Sequence, residues 1–169
     1  MPETPQQYTQ RMLSYAEGKD PLTMQKAAPG KLARLLRGKS KRQLSRRPAP
    51  GKWSVAEILA HLSDAEVVLS WRMRHVLGAN GAAIQAFDQN VWADTFDYEH
   101  RDAGQSLASY TALRAANIAL LKKMPRPLWD NYGIHSERGN ESISHMVRMA
   151  AGHDVNHYLQ VERILNTKA

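Results

Sequence analysis

Apolar positions recur every three to four residues over most of this chain, and runs of strict alternation are almost absent. That spacing predicts helices rather than strands. The first helix runs from Pro5 to Glu17 and stops at Gly18. Asp20-Pro21 reads as the cap and first residue of a short helix to Ala27; a second short helix, Lys31 to Arg37, ends at Gly38. After the loop 46–51, Ser54 and Glu57 form a capping box, in which each side chain satisfies the other residue's free amide. The long helix that starts there continues to about Leu77. Residues 78–103 read as a long connection with short helical pieces. A further long helix spans about Gly104 to Met124 and is stopped by Pro125 and Pro127. A polar turn with Gly133 and Gly139 leads to the last helix, about Glu141 to Leu165. Long helices joined by short and long connections predict an all-α fold, an antiparallel four-helix bundle with short extra helices.

Polar residues interrupt the apolar stripes at few places, and those places are informative. In the last helix Ile143, Met146, Val147, Ala150, Val161, Ile164 and Leu165 share one face. His157 and Asp154 fall inside that stripe, and His153 falls at its edge. Burying them without partners would cost several kcal/mol, roughly. His153 and His157 are also four residues apart, so their rings emerge one turn apart on one side and can converge on one cation. In the helix after Ser54 the stripe is Val55, Ile58, Leu59, Leu62, Leu69, Met73 and Val76. His61 flanks it, two turns in. Two antiparallel helices would bring His61 level with His153 and His157. Three histidines leave a fourth position open, which is the catalytic kind of site rather than the closed structural kind.

Composition narrows the chemistry. The 169 residues fit one domain, 1–169, large enough to bury about two-thirds of its unfolded surface. With no cysteine there is no disulfide, no thiolate nucleophile and no Cys-bound metal, so any metal site must use His, Asp or Glu. No apolar stretch is long enough to span a membrane and the N-terminus has no signal core, which points to a cytoplasmic location. The net charge is +7, yet ten basic residues and no acid lie between Pro21 and Ala56. The remainder carries 13 basic and 16 acidic residues. The basic segment has no aromatic residue before Trp53 and no evident recognition helix, which argues against nucleic acid as a partner and for a solvated face.

Six segments carry a resemblance to a known family: PAPGKWSVAEILAHLSDAE (48–66), Arg72-x-Arg74, FDQNVWAD (87–94), LRAANIALLKKM (113–124), GIHSERGNESI (133–143) and AGHDVNHYLQVERI (151–164). Together they resemble the DinB/YfiT-like family of metal-dependent enzymes, which is unrelated to the similarly named DNA polymerase. The resemblance implies an up-down-down-up bundle that binds a divalent metal ion, zinc or nickel, through His61, His153 and His157. It also implies a homodimer and a small-molecule substrate. Characterised relatives include thiol-dependent S-transferases and a maleylpyruvate isomerase, so an anionic molecule or a low-molecular-weight thiol is a candidate, and hydrolysis and thiol transfer are both candidate reactions. The alternative is a non-enzymatic metal-binding bundle acting in stress response, or on nucleic acid through segment 21–56.

Roles around the three histidines stay open at the level of sequence. Asp154 could orient His157 or His61, or pair with an inward arginine. Glu66, also within an apolar stripe, could be a fourth ligand, a base or an ion-pair partner. Asp64 reads as solvated or capping. Asp88 and Trp92 could lie over the bundle mouth, or Trp92 could simply pack; Gln160 could hold a water. His75, His100 and His145 read as surface or interface residues. His135 is expected near the pocket from the resemblance alone, and Trp53 as a hydrophobic staple at the helix entrance.

Overall fold

The computed structural model describes residues 3–167; the ends of the expected 1–169 domain, residues 1–2 and 168–169, lie outside the described residues. Among the described residues there are seven α-helices: α1 (Pro5–Tyr15), α2 (Pro21–Leu36), α3 (Lys41–Ser45), α4 (Val55–Gly78), α5 (Gln89–Thr95), α6 (Ala103–Lys123) and α7 (Ile143–Asn166). The expected capping box forms: the Ser54 hydroxyl accepts from the Glu57 amide at 3.2 Å, and the Ser54 amide donates to Glu57 Oε2 at 2.7 Å. Arg47 adds a second clamp on the Glu57 carboxylate.

Helices α2, α4, α6 and α7 form a four-helix bundle, and this corrects the expectation for the N-terminal part. Residues 21–36 are one helix rather than two short ones, and α2 is a bundle member rather than a pair of short extra helices. Pro29 sits inside it. A proline there removes one hydrogen bond and is unfavourable by roughly 3 kcal/mol. Tertiary packing overrides that penalty: Ala28, Pro29 and Leu32 are buried, and the buried Gln25 amide donates to the Val147 carbonyl of α7 at 2.7 Å. Helix α1 ends at Tyr15, two residues short of expectation, and lies on the outside of α7.

Two apolar clusters mark the ends of the bundle. One joins Leu32 of α2, Val55 to Leu62 of α4, Tyr110 of α6 and Val161 of α7. The other joins Leu22, Met73, Val76, Leu121, Ile143 and Val147. Thus α2 and α7 begin at the end where α4 and α6 finish. His61, early in α4, therefore comes level with the middle of α7.

A small sheet closes the second end, where only a polar turn is expected from sequence. Strand β2 (Tyr132–His135) pairs antiparallel with β3 (Gly139–Ser142) and parallel with β1 (Ala83–Ile84). The register places Tyr132 opposite Ser142 and Ala83 opposite Ile134. Gly139 takes φ of 75° at the turn, a left-handed conformation that glycine adopts without a Cβ penalty. No helix among the described residues is long and apolar enough to cross a membrane.

Candidate metal centre

Three imidazoles from two antiparallel helices meet between α4 and α7. His61 Nε2 lies 3.0 Å from His153 Nε2, which lies 3.1 Å from His157 Nε2. One ligand-capable nitrogen from each lies within 4.8 Å of the others. His61 and His157 are buried and His153 is half-buried. Burial pushes all three rings toward the neutral form, His157 down to about 4, and neighbouring histidines push His61 and His153 the same way.

Neutral imidazole carries one N–H and one lone pair, so the proton positions can be reasoned out. His157 Nδ1 is 2.9 Å from Gln160 Oε1. The amide oxygen only accepts, so Nδ1 holds the proton and Nε2 presents its lone pair toward His153. His153 Nε2 faces two neighbours with at most one hydrogen to give. The cluster therefore cannot satisfy itself by hydrogen bonding. A cation at its centre resolves the conflict, and the nitrogen separations fall just inside the roughly 3.3 Å expected between imidazoles on a tetrahedral zinc. The residues fit a divalent metal ion.

Surroundings lock the rings. Trp53, expected only as a helix-entrance staple, packs its ring 5.1 Å from that of His61 and also lies beside Tyr98. The buried His61 Nδ1 has no hydrogen-bond partner among the described residues. Gln160, expected to hold a water, instead bonds His157 directly.

The carboxylates form a separate buried network next to the histidines. Arg114 of α6 donates through Nε to Glu66 Oε1 at 2.9 Å and through Nη2 to Glu66 Oε2 at 2.7 Å. Its other edge pairs with both oxygens of Asp154, and Tyr110 donates its hydroxyl to Asp154 Oδ1 at 2.7 Å. Asn117 Nδ2 completes Glu66 at 2.7 Å. Of the roles open to Asp154 and Glu66, these contacts are those of ion-pair partners, and neither carboxylate hydrogen-bonds a ligand-set histidine. Burial pushes the Asp154 carboxyl up, against the pull of Arg114. With both acids ionised the trio carries one net negative charge, which favours a cation nearby.

A cavity of about 640 Å³ opens onto His61 and His153, running between α4 and α7 to the β2–β3 hairpin. A smaller one, about 340 Å³, reaches His157 past Trp53 and Gln160. Tyr8 of α1 and Gln89 and Asn90 of α5 line both. Asp88 lines the larger cavity and caps α5, accepting from the Asn90 amide at 2.8 Å. Trp92 packs between Phe87 and Phe96. Asp64 departs from expectation: it pairs with Arg101 at 2.8 Å rather than facing solvent. His75 stacks on the exposed Trp71, His100 pairs with Asp97 at the surface, and His145 is half-buried near Glu141. His135 is buried within β2 and does not line either cavity. Sequence reasoning missed Tyr8 and Arg114, because only the docking of α1 and α6 brings them to the site.

Comparisons with known proteins agree with this geometry. Two proteins of Oceanobacillus iheyensis, each named "Putative metal-dependent hydrolase", are similar to the chain. One is 24% identical over 118 residues, covering 70% of this chain and 68% of the relative. The other is 20% identical over 127 residues, covering 75% and 73%. In fold, the chain resembles YfiT of Bacillus subtilis, described as a probable metal-dependent hydrolase with an unusual four-helix bundle topology. That likeness has a TM-score of 0.80 at 18% identity and covers 95% of this chain and 87% of YfiT. Residues 25–161, from within α2 through the three histidines to Val161 in α7, match the family pattern, and the chain belongs to the DinB superfamily.

Proposed function

We propose that the protein is a metal-dependent hydrolase acting on a small molecule, with His61, His153 and His157 as ligands and the fourth position open to the larger cavity. The observation that carries this reading is the convergence of three neutral imidazoles, two buried and one half-buried, of which His61 and His153 line a cavity of about 640 Å³. Zinc and nickel both suit such an imidazole set. A divalent cation held there supplies Lewis acidity, which activates water near neutral pH or polarises a carbonyl.

The chain's own residues do the positioning. Gln160 holds the His157 proton on Nδ1 and so keeps Nε2 available as a donor atom. Trp53 covers the His61 ring and excludes water from its buried side. Arg114, tied to Glu66 on α4 and to Asp154 on α7, fixes the spacing of the two ligand-bearing helices. Tyr8, Gln89 and Asn90 border the substrate's approach. The chain has no cysteine, so thiol transfer at this centre requires the thiol as a second substrate.

Elemental analysis of protein purified without an affinity tag tests the reading. About one zinc or nickel per chain is expected, lost in His157→Ala. A panel of simple esters and amides should be hydrolysed, with activity removed by chelation and restored by either metal. Equal metal content in wild type and His157→Ala overturns the ligand assignment.

A further inference from the structure

The larger cavity changes character along its length. On α4 it is lined by His61, then Ala65, Val68 and Leu69, then Arg72. These positions share one helical face, and eleven residues correspond to about 16 Å of axis. Met146 and Met149 of α7 form the facing apolar wall. The cavity is thus a trench with imidazoles at one end, a middle that sets this hydrocarbon beside the mutually paired Glu66, Arg114 and Asp154, and the Arg72 guanidinium at the other.

Arg72 differs from the other arginines of the trench. Arg114 is saturated by Glu66 and Asp154, and Arg138 is gripped by both oxygens of Glu141 at 2.6 and 3.1 Å. Arg72 is half-buried and enters none of the ion pairs among the described residues. Its one hydrogen bond there goes from Nη2 to the Gln85 carbonyl, and its guanidinium lies 6.0 Å from the Phe87 ring centre. Three further acids line the trench and none pairs with Arg72: Glu141 is held by Arg138, Glu137 and Asp88 are exposed, and Asp88 Oδ1 is committed to the α5 amides. Burial and the neighbouring Arg138 depress the Arg72 pKa against the smaller opposing pull of Glu141 and Glu137, so the cation is held where a directly paired anion would relieve it. A planar fork fixed at one nitrogen, with its other donors free, suits a carboxylate.

We propose that Arg72 binds a carboxylate at the far end of an elongated substrate, whose apolar middle lies along Val68, Leu69 and Met149 and whose reacting group lies at the histidines. This rests on the hydrolase reading for the reacting end only; the Arg72 contact stands apart from any metal. Two calorimetric titrations separate the two. In chelator-stripped protein, octanoate should bind about tenfold or more tighter than its neutral isostere octanamide, and Arg72→Gln should abolish the difference. Lys31→Gln, a charge removed from the exposed face of α2, should leave it unchanged. In zinc-reloaded protein, suberate should bind tighter than its monoamide, with the difference lost in either Arg72→Gln or His157→Ala. Equal binding of octanoate and octanamide, or a preference that survives Arg72→Gln, overturns the Arg72 assignment. An Arg72-dependent octanoate preference with no zinc-dependent gain for suberate keeps that assignment and sinks the metal reading instead.

Discussion

The carbonyl oxygen of Met12 lies 1.8 Å from where a β-carbon on Gly152 would stand. Helix α1 therefore rests directly on the backbone of α7, one residue before His153. Arg11 secures the contact by donating to Asn156 Oδ1 at 2.6 Å. Because Tyr8 and Arg11 line the cavities, this close approach sets the wall of the site. Gly152→Ala forces backbone against backbone, which has no flexible side chain to yield. It should destabilise the protein by on the order of 1–3 kcal/mol, read as a lower urea midpoint. Faster tryptic cleavage after Arg11 would accompany it. An unchanged midpoint would mean that α1 shifts at no cost.

Gln160 makes a narrower prediction. Its oxygen is the acceptor for His157 Nδ1–H, and losing such a partner typically weakens metal binding by about 10- to 100-fold. Gln160→Leu should show that loss in competition with a coloured chelator, while Gln160→Glu, which still accepts, should bind at least as tightly as wild type. Identical affinities in all three proteins would assign ring orientation to packing against Trp53 and α4 alone.

The metal-free protein should lose stability on mild acidification. His157 falls to about 4 in the folded state from an ordinary value of 6.5, and His61 and His153 move in the same direction. Above pH 6.5 neither state carries these protons and the term vanishes. Between 6.5 and 4 the unfolded chain is protonated first, so folding weakens as pH falls, by up to about 1.4 kcal/mol per pH unit for each group. Urea midpoints of chelator-treated protein at pH 7.5, 6 and 5 should decline in that order. His157→Gln should flatten the slope; a slope identical to wild type would remove His157 from the account.

How far the sequence foretold this site depends on the kind of interaction. His157 was legible because a polar residue inside a helical apolar stripe is conspicuous, His153 because it lies one turn before it, and His61, on the flank of its stripe, through its level in an antiparallel pair and the family resemblance. The Ser54–Glu57 box was legible because helix capping is local. Helix α2 was not, because Pro29 is a strong local stop signal that only burial against α6 and α7 overrides. The strands were too short, two to four residues each with Gly133 and Gly139 among them, to show alternation. Arg114 sits on a helix whose inner face mixes Tyr110, Arg114 and Asn117 with Ile118 and Leu121, so no apolar stripe marks it as inward-facing. Its partners Glu66 and Asp154 were visible as misplaced acids, while the cation that answers them was not.

That trio yields the last prediction. Removing Arg114 leaves two carboxylates buried without a counter-ion, and breaking a buried pair in this way typically costs about 3–5 kcal/mol. Arg114→Met should therefore be strongly destabilised at pH 7. In the variant burial raises the Asp154 carboxyl without the opposing pull of Arg114, so the folded protein binds more protons than the unfolded chain and the deficit should shrink as pH falls toward 4. Adding Glu66→Gln and Asp154→Asn to Arg114→Met should restore much of the loss by removing the charges themselves. Asp154→Asn alone separates structure from chemistry. Its carboxylate touches Arg114 and Tyr110 and no ligand-set histidine, so the variant should lose stability yet still carry about one metal per chain. Metal lost from a variant that remains folded, by circular dichroism and urea midpoint, would instead make Asp154 a residue that positions the histidine ligands.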